Sequence, residues 1–298
     1  MQQSVTKKAP VKVNLHLGIH PGRDERGYHR ADSVMCALDL GDAVTVERLC
    51  APAPQSAAQR GVALDMSEDV GIDYARNTAW LAAVRAKEAL GDEHHYCVRV
   101  TKGVIPQSGL GGSSSDAAST IMAILELCGE SRREELAVQV ARSIGADVPF
   151  FLNPVPSYLD GAGDVLKESF GRLGDVPVVL VRPLDGVSTA AAYGAFDLEP
   201  TAPVAPVAPD AMLAALRAGD VQAVAEHLYN NLDPVARRLV PDDDVIAAWL
   251  AADGGVLGAQ VSGSGSCVFA ICRSHEDAGR LAGAARLRGW WSAATKML

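Results

Sequence analysis

The stretch PQSGLGGSSSDAAS, residues 106–119, decides how the rest of the chain is read. Its glycines and serines have the composition of a flexible linker, but its flanks do not suit one. YCVRVTKGVIP (96–106) alternates as a strand does, and DAASTIMAILELCG (116–129) sets Ala117, Ile121, Leu125 and Cys128 on one helical face, with Gly129 past its end. A linker separates domains, and neither flank is long enough to be one.

A glycine-rich turn that opens a helix has a chemistry of its own. Ser113 and Asp116 have S-x-x-D spacing, which makes Ser113 the expected N-cap and puts Ser114 and Ser115 in the first turn. The N–H groups there have no intrahelical partners, and the helix dipole adds positive charge. Gly109, Gly111 and Gly112 let backbone approach an anion with no Cβ in the way. The pattern fits a phosphate cradle or a tight structural turn. It is neither a P-loop, which needs G-x-x-x-x-G-K-[ST], nor a G-x-G-x-x-G dinucleotide turn.

Outward from this stretch, KAPVKVNLHLGI (8–19) alternates after Pro10 and predicts a strand. After the loop HPGRDERGYHR (20–30), SVMCALDLGDAVTVERL (33–49) is strand-like with an expected turn at Gly41–Asp42, and APAPQSAAQRG (51–61) is expected to be a hairpin connection. NTAWLAAVRAKEAL (77–90) predicts a helix capped by Asn77, and REELAVQVARSIG (133–145) predicts another that runs into ADVPFFL. Beyond residue 157 come a strand at VPVVLVRP (176–183), a Pro/Ala spacer TAPVAPVAP (201–209), helices near 210–227 and 242–252, and a strand at GSCVFAIC (265–272). Strands and helices mix without regular alternation, so the class is α+β rather than doubly wound α/β. A chain of 298 residues suggests two domains.

Composition narrows the function. With 48% hydrophobic and 21% charged residues, no apolar run near the roughly 20 residues that span a bilayer, and no apolar core in MQQSVTKKAP, the chain is expected to be cytoplasmic, with no membrane partner. Six cysteines (36, 50, 97, 128, 267, 272) form no C-x-x-C pair and are expected to be buried small apolar residues. His94–His95 follows a Gly-Asp-Glu turn and is expected in a solvated loop. A net charge of −9 argues against nucleic acid but not against an anionic small molecule.

The central stretch, with APVKVNLHL (9–17) before it and GAQVSGSGSCVFAI (258–271) after it, resembles the three ordered motifs of the GHMP kinases, a superfamily of small-molecule kinases. The resemblance implies an N-terminal ATP-binding domain (1–157) containing a left-handed β-α-β unit, against the usual crossover rule, and a C-terminal ferredoxin-like domain (158–298). It implies Mg-ATP, held by Pro106, Gly109, Leu110, Gly111, Gly112, Ser113, Ser114 and Ser115, with Asn77 and Lys102 on the adenine side and Ser114 near Mg2+. Asp147 becomes the general base and Lys12 its cationic partner, since an attacking alcohol must lose a proton and a lysine steadies the alkoxide. Without the resemblance, Lys12 reads equally as a strand residue facing solvent and Asp147 as a cap before Val148–Pro149.

GYH (27–29) and GADVPFF (145–151) resemble the members that phosphorylate the 2-hydroxyl of a cytidine diphosphate-linked methylerythritol, in the non-mevalonate route to isoprenoid precursors. That implies Asn14 on the methylerythritol, Tyr28 stacked on the cytosine, His29 hydrogen-bonded to it, Tyr193 as a second aromatic, a contact from the Thr189 hydroxyl, and close backbone at Gly263, Ser264 and Gly265. Read from the residues alone, Tyr28 and Tyr193 are also plain core-covering aromatics, and 263–265 a strand-to-strand turn. The alternatives are a kinase for homoserine, mevalonate or a sugar, and an inactive nucleotide-binding homologue. Two departures from the family pattern stand out: only two residues separate Pro106 from Gly109, and Ser113 stands in place of a glycine.

Overall fold

The computed structural model describes residues 3–50, 58–69, 71–198 and 205–298. It groups them into two units, residues 1–11, 40–106 and 111–153, and residues 12–39, 107–110 and 154–298. Two long strands, β1 (Ser4–Ile19) and β2 (Ala31–Leu49), run from one unit into the other.

In the first unit the later half of β2 pairs antiparallel with β5 (His95–Thr101), from Ala43 opposite Thr101 to Leu49 opposite His95. On the far side of β5 lies β4 (Val62–Met66), parallel to it, with the short β3 (Ala58–Gln59) at the edge. α1 (Thr78–Leu90) joins β4 to β5, which makes the β-α-β unit of the expected fold. The Asn77 carboxamide oxygen accepts from the N–H groups of Ala79 and Trp80 at 3.0 and 3.3 Å, and the helix ends on left-handed Gly91, as its sequence predicts. The small Ala79, Ala82, Ala83 and Ala86 are buried, so α1 packs closely against α2 (Gly112–Leu127) and α3 (Glu134–Ile144).

The turn expected at Gly41–Asp42 does not form, because β2 passes straight through. A Cβ on Gly41 would stand 2.0 Å from the carbonyl oxygen of Ala9, so this glycine admits a neighbouring backbone rather than a reversal of the chain.

The second unit carries an antiparallel sheet in the order β10 (Val256–Val261), β11 (Val268–Cys272), β8 (Pro177–Arg182), β12 (Trp291–Lys296). The helices between β8 and β10, together with α9 (His275–Leu287) between β11 and β12, complete the β-α-β-β-α-β order of a ferredoxin-like domain. Val179, Val181, Val268 and Ala270 pack there against Ile246 and Leu250 of α8 (Asp242–Ala251) and Leu281 and Ala285 of α9. The helix expected over 210–227 is two, α5 (Asp210–Ala218) and α6 (Val221–Glu226), broken at left-handed Gly219 and restarted by the Asp220 cap. The remaining helices are α4 (Thr189–Asp197) and α7 (Asp233–Leu239). The later half of β1 pairs parallel with β9 (Tyr229–Asn230), while the first half of β2 pairs with β6 (Ser157–Asp160), itself paired with β7 (Val165–Ser169).

All six cysteines are unpaired, but only Cys36, Cys267 and Cys272 are buried; Cys50 is exposed, contrary to expectation. His94 is in solvent, 2.5 Å from Asp92, while His95 opens β5. Residues 51–57 and 201–204 of the expected connection and spacer lie outside the described residues. Among the described residues no helix is long and apolar enough to cross a membrane.

Candidate active site

The first group of expected residues gathers where α2 begins. The helix starts at Gly112, with Gly111 in its N-cap position at φ 72°, so Ser113 lies inside the first turn and the S-x-x-D cap is not formed. The reason is Asp116, whose carboxylate faces Lys102 instead: Lys102 Nζ donates to Asp116 Oδ2 at 3.2 Å and to Asp42 Oδ2. Asp42 Oδ1 accepts from the N–H groups of Gly103 and Val104 at 2.7 and 3.2 Å, tying β2 to the turn after β5. Burial raises the Asp116 carboxyl above its ordinary value, with Asp42 adding to the effect and Lys102 opposing it.

This arrangement leaves the start of α2 open. The N–H groups of Gly112, Ser113 and Ser114 have no partner among the described residues; Ser115 is the first to bond back, to Gly111 at 3.0 Å. Ser115 Oγ and Asp116 Oδ1 are buried and likewise unpartnered. A Cβ on Gly112 would come no closer than 3.6 Å to any atom, so packing does not require glycine there. Asn77 spends its oxygen on the α1 cap and points Nδ2 at the Met66 sulfur, 3.8 Å away. Asp147 lies in the turn closed by the Val148 N–H and the Gly145 carbonyl; it is not the cap of the turn that follows, whose N-cap position is Val148.

The second group surrounds Lys12, which is buried rather than facing solvent. Its Nζ donates to Asn14 Oδ1 at 2.6 Å and to the Gly109 carbonyl at 2.9 Å, and Asn14 Nδ2 donates to Ser33 Oγ at 3.0 Å. Lys12 and Asn14 thus share one face of β1, as their spacing predicts. Gly109 packs on the third glycine-rich motif: a Cβ there would stand 2.1 Å from the Ser262 carbonyl oxygen. Ser262 Oγ donates to the Gly109 carbonyl at 3.2 Å, and the Cys267 N–H to the Ser108 carbonyl at 3.2 Å. Gly263 and Gly265 are left-handed, and Asn230 Nδ2 fixes the turn by donating to the carbonyls of Val261 and Gly263 at 2.9 and 2.8 Å. Thr189 Oγ1 reaches Ser264 Oγ at 3.3 Å.

The aromatic residues of this unit divide. His29 is buried, with Tyr193 5.8 Å away at 31° and Phe196 edge-on at 6.0 Å. Tyr28 is exposed, its ring 5.3 Å from the Arg26 guanidinium and its N–H bonded to Asp24 Oδ1 at 2.9 Å.

Family models for "GHMP kinases N terminal domain" and "GHMP kinases C terminal" match residues 77–153 and 212–289. The chain is a GHMP kinase. This kinase is 33% identical over 290 residues to 4-diphosphocytidyl-2-C-methyl-D-erythritol kinase of Desulfitobacterium hafniense, covering 97% of this chain and 94% of the relative. The crystal structure of a 4-(cytidine 5'-diphospho)-2C-methyl-D-erythritol kinase superposes on it with TM-score 0.76 at 29% identity, covering 98% of this chain and 99% of that one. Homoserine kinase from Cytophaga hutchinsonii, 18% identical and covering 99% and 95%, shares the fold with TM-score 0.73.

Several residues that organise these groups in the kinase escape sequence reading. Asp42 and Asn230 act on backbone about 60 and 31 residues away, a distance no local pattern spans. Ser33 and Asp116 carry a signal only in hindsight: each is a polar residue that falls on a buried face.

Proposed function

We propose that this kinase transfers the γ-phosphoryl group of ATP to the 2-hydroxyl of 4-diphosphocytidyl-2-C-methyl-D-erythritol, giving the 2-phosphate and ADP. The near full-length match to a kinase of that name carries the reading. The buried Lys12–Asn14 pair and the His29–Tyr193 aromatic contact support it, being an acceptor-side cation and a face for a flat base.

In this reading the open N-terminus of α2, from Gly111 to Ser115, holds the ATP phosphates, because its unpartnered N–H groups meet anions favourably. Pro106 and Leu110 flank that contact, and Asn77 and Lys102 border the adenine side. Ser114, Ser115 Oγ and Asp116 Oδ1 are hard oxygen donors that fit Mg2+, and no group of three His, Cys, Asp or Glu forms a metal cage among the described residues. Such a set suits an ion shared with substrate phosphates. Mg2+ would neutralise charge on those phosphates. Asp147 accepts the proton of the attacking hydroxyl, and Lys12 stabilises the alkoxide. Asn14 holds the methylerythritol, Tyr28, His29 and Tyr193 the cytosine, and Thr189, Gly263, Ser264 and Gly265 the diphosphate.

The test is ADP release by purified protein with Mg-ATP and a panel of alcohols: the cytidyl compound, homoserine, mevalonate and galactose. Turnover confined to the cytidyl compound is expected. Turnover of another alcohol with none of the cytidyl compound would refute the substrate, and none with any alcohol would favour an inactive homologue.

A further inference from the structure

Ser33 takes no part in the roles assigned above, yet it ends a chain of hydrogen bonds that begins at Lys12. Lys12 Nζ donates to Asn14 Oδ1 at 2.6 Å, and Asn14 Nδ2 donates to Ser33 Oγ at 3.0 Å. All three residues are buried. Ser33 lies on β2 opposite Leu159 of β6, and left-handed Gly163, in the turn between β6 and β7, closes over it. A Cβ on Gly163 would stand 3.6 Å from Ser33 Cβ and 4.0 Å from its Oγ.

The chain of bonds has a direction. An ammonium group only donates, so the amide atom that faces Lys12 must be the oxygen, and the nitrogen is then turned to Ser33. Ser33 Oγ accepts there. Because the two amide atoms are fixed in one plane, a hold on the nitrogen is a hold on the oxygen. Without Oγ the buried N–H loses its acceptor, and an amide that rotates to find another carries Oδ1 away from Nζ. Asn14 still keeps a second hydrogen on Nδ2 and a second lone pair on Oδ1 to offer an acceptor molecule.

Backbone confines Nζ elsewhere. It donates to the Gly109 carbonyl at 2.9 Å, and a Cβ on Gly263 would stand 3.1 Å from it. Asn230 Nδ2 holds the Gly263 carbonyl, and Ser262 Oγ holds that of Gly109. Those contacts belong to main chain that the fold fixes, whereas the Asn14 contact belongs to a side chain that can turn. We propose that Ser33 is a positioning residue for phosphoryl transfer: through the Asn14 amide it keeps Lys12 Nζ aimed where the alkoxide of the acceptor develops. A misplacement of about 1 Å in such a group costs up to about 100-fold in rate. The inference rests on the role given to Lys12 above.

The test compares Ser33→Ala, Ser33→Thr, Ser33→Val and Asn14→Ala, with Lys12→Met as a control for the role beneath. Steady-state kinetics use Mg-ATP and the alcohol of the panel above that the wild type turns over. Threonine and valine have one shape and differ in the oxygen, so any misfit of the added methyl group affects both alike. Expected are a kcat about 10-fold lower in Ser33→Ala with KM for ATP within about 2-fold, and a kcat in Ser33→Thr at least about 5-fold above that in Ser33→Val. In the Asn14→Ala background, Ser33→Ala should change kcat by less than about 2-fold, because its effect passes through the amide. Wild-type kcat in Ser33→Ala, equal kcat in Ser33→Thr and Ser33→Val, or a full further loss in the Asn14→Ala background would each overturn the role of Ser33 and leave that of Lys12 standing. A parallel rise in KM for ATP would overturn it too, as general loosening. Normal turnover by Lys12→Met, or a wild type that turns over no alcohol, would remove the role of Lys12 and the inference with it.

Discussion

The backbone of Gly109 lies against the Ser262 carbonyl so closely that a methyl group on Gly109 would stand 2.1 Å from that oxygen. Gly112, three residues on, has no such neighbour. One short stretch thus holds two kinds of glycine, one required by packing and one open to a ligand.

Alanine substitution should separate them. Gly109→Ala, which also meets a φ of 71°, is expected to lower unfolding free energy by at least about 2 kcal/mol in urea titrations. Gly112→Ala is expected to leave stability unchanged or raise it by up to about 1 kcal/mol, while raising KM for ATP about 10-fold. Equal stability effects at the two positions would refute the distinction.

Lys102 has two carboxylates and almost no solvent around it. Lys102→Met leaves Asp42 and Asp116 buried without their cation, and is expected to cost about 3 kcal/mol of stability by chemical denaturation. Weakened ATP binding with stability intact would instead assign the lysine purely to the nucleotide.

For Asp147→Asn, ATP affinity measured by calorimetry should stay within a few-fold of wild type while phosphoryl transfer falls about 100-fold or more. An Asn variant with normal turnover would remove Asp147 from the role of base.

Asp243, in the first turn of α8, is fully buried, and neither carboxyl oxygen has a hydrogen-bond partner among the described residues. Burial, with Asp233 adding to it and Arg237 and Arg182 opposing, pushes its pKa up from 3.8 to about 8. The folded chain then holds this proton more tightly than the unfolded one, so the group subtracts stability progressively as pH rises from about 4 to about 8, and no further above that. Asp243→Asn is expected to raise the melting temperature at pH 7.5, by the equivalent of roughly 2 kcal/mol, with the gain vanishing near pH 4. A gain of equal size at both pH values would contradict the assignment.

Much of this molecule is legible in its sequence where the signal is local. The alanine face of α1, its Asn77 cap and its Gly91 stop fall within a few turns of one another, as do the alternations of β1 and β5. Gly41 misleads because a glycine that admits Ala9 and a glycine that turns the chain are the same letter. Ser113 misleads because its capping partner Asp116 is claimed by Lys102, fourteen residues earlier. Within the candidate site, the shared face of Lys12 and Asn14 follows from a period of two. The side chains that fix neighbouring loops, Asp42 and Asn230 among them, depend on residues brought together only by the fold.

The second unit is discontinuous in sequence, since residues 12–39 belong with residues 154–298 while most of the first unit is encoded between them. On a ribosome, residues 12–39 emerge more than a hundred residues before β6 and β9, with which they also pair, whereas residues 40–106 and 111–153 emerge in close succession. The first unit has most of its chain available early, whereas in the second the neighbouring β1 and β2 segments keep their further edges open until β6 and β9 arrive. Slow elongation between residues 40 and 153 would prolong that wait, which makes this kinase a chain whose yield should depend on translation rate and on chaperones that shield nascent strands.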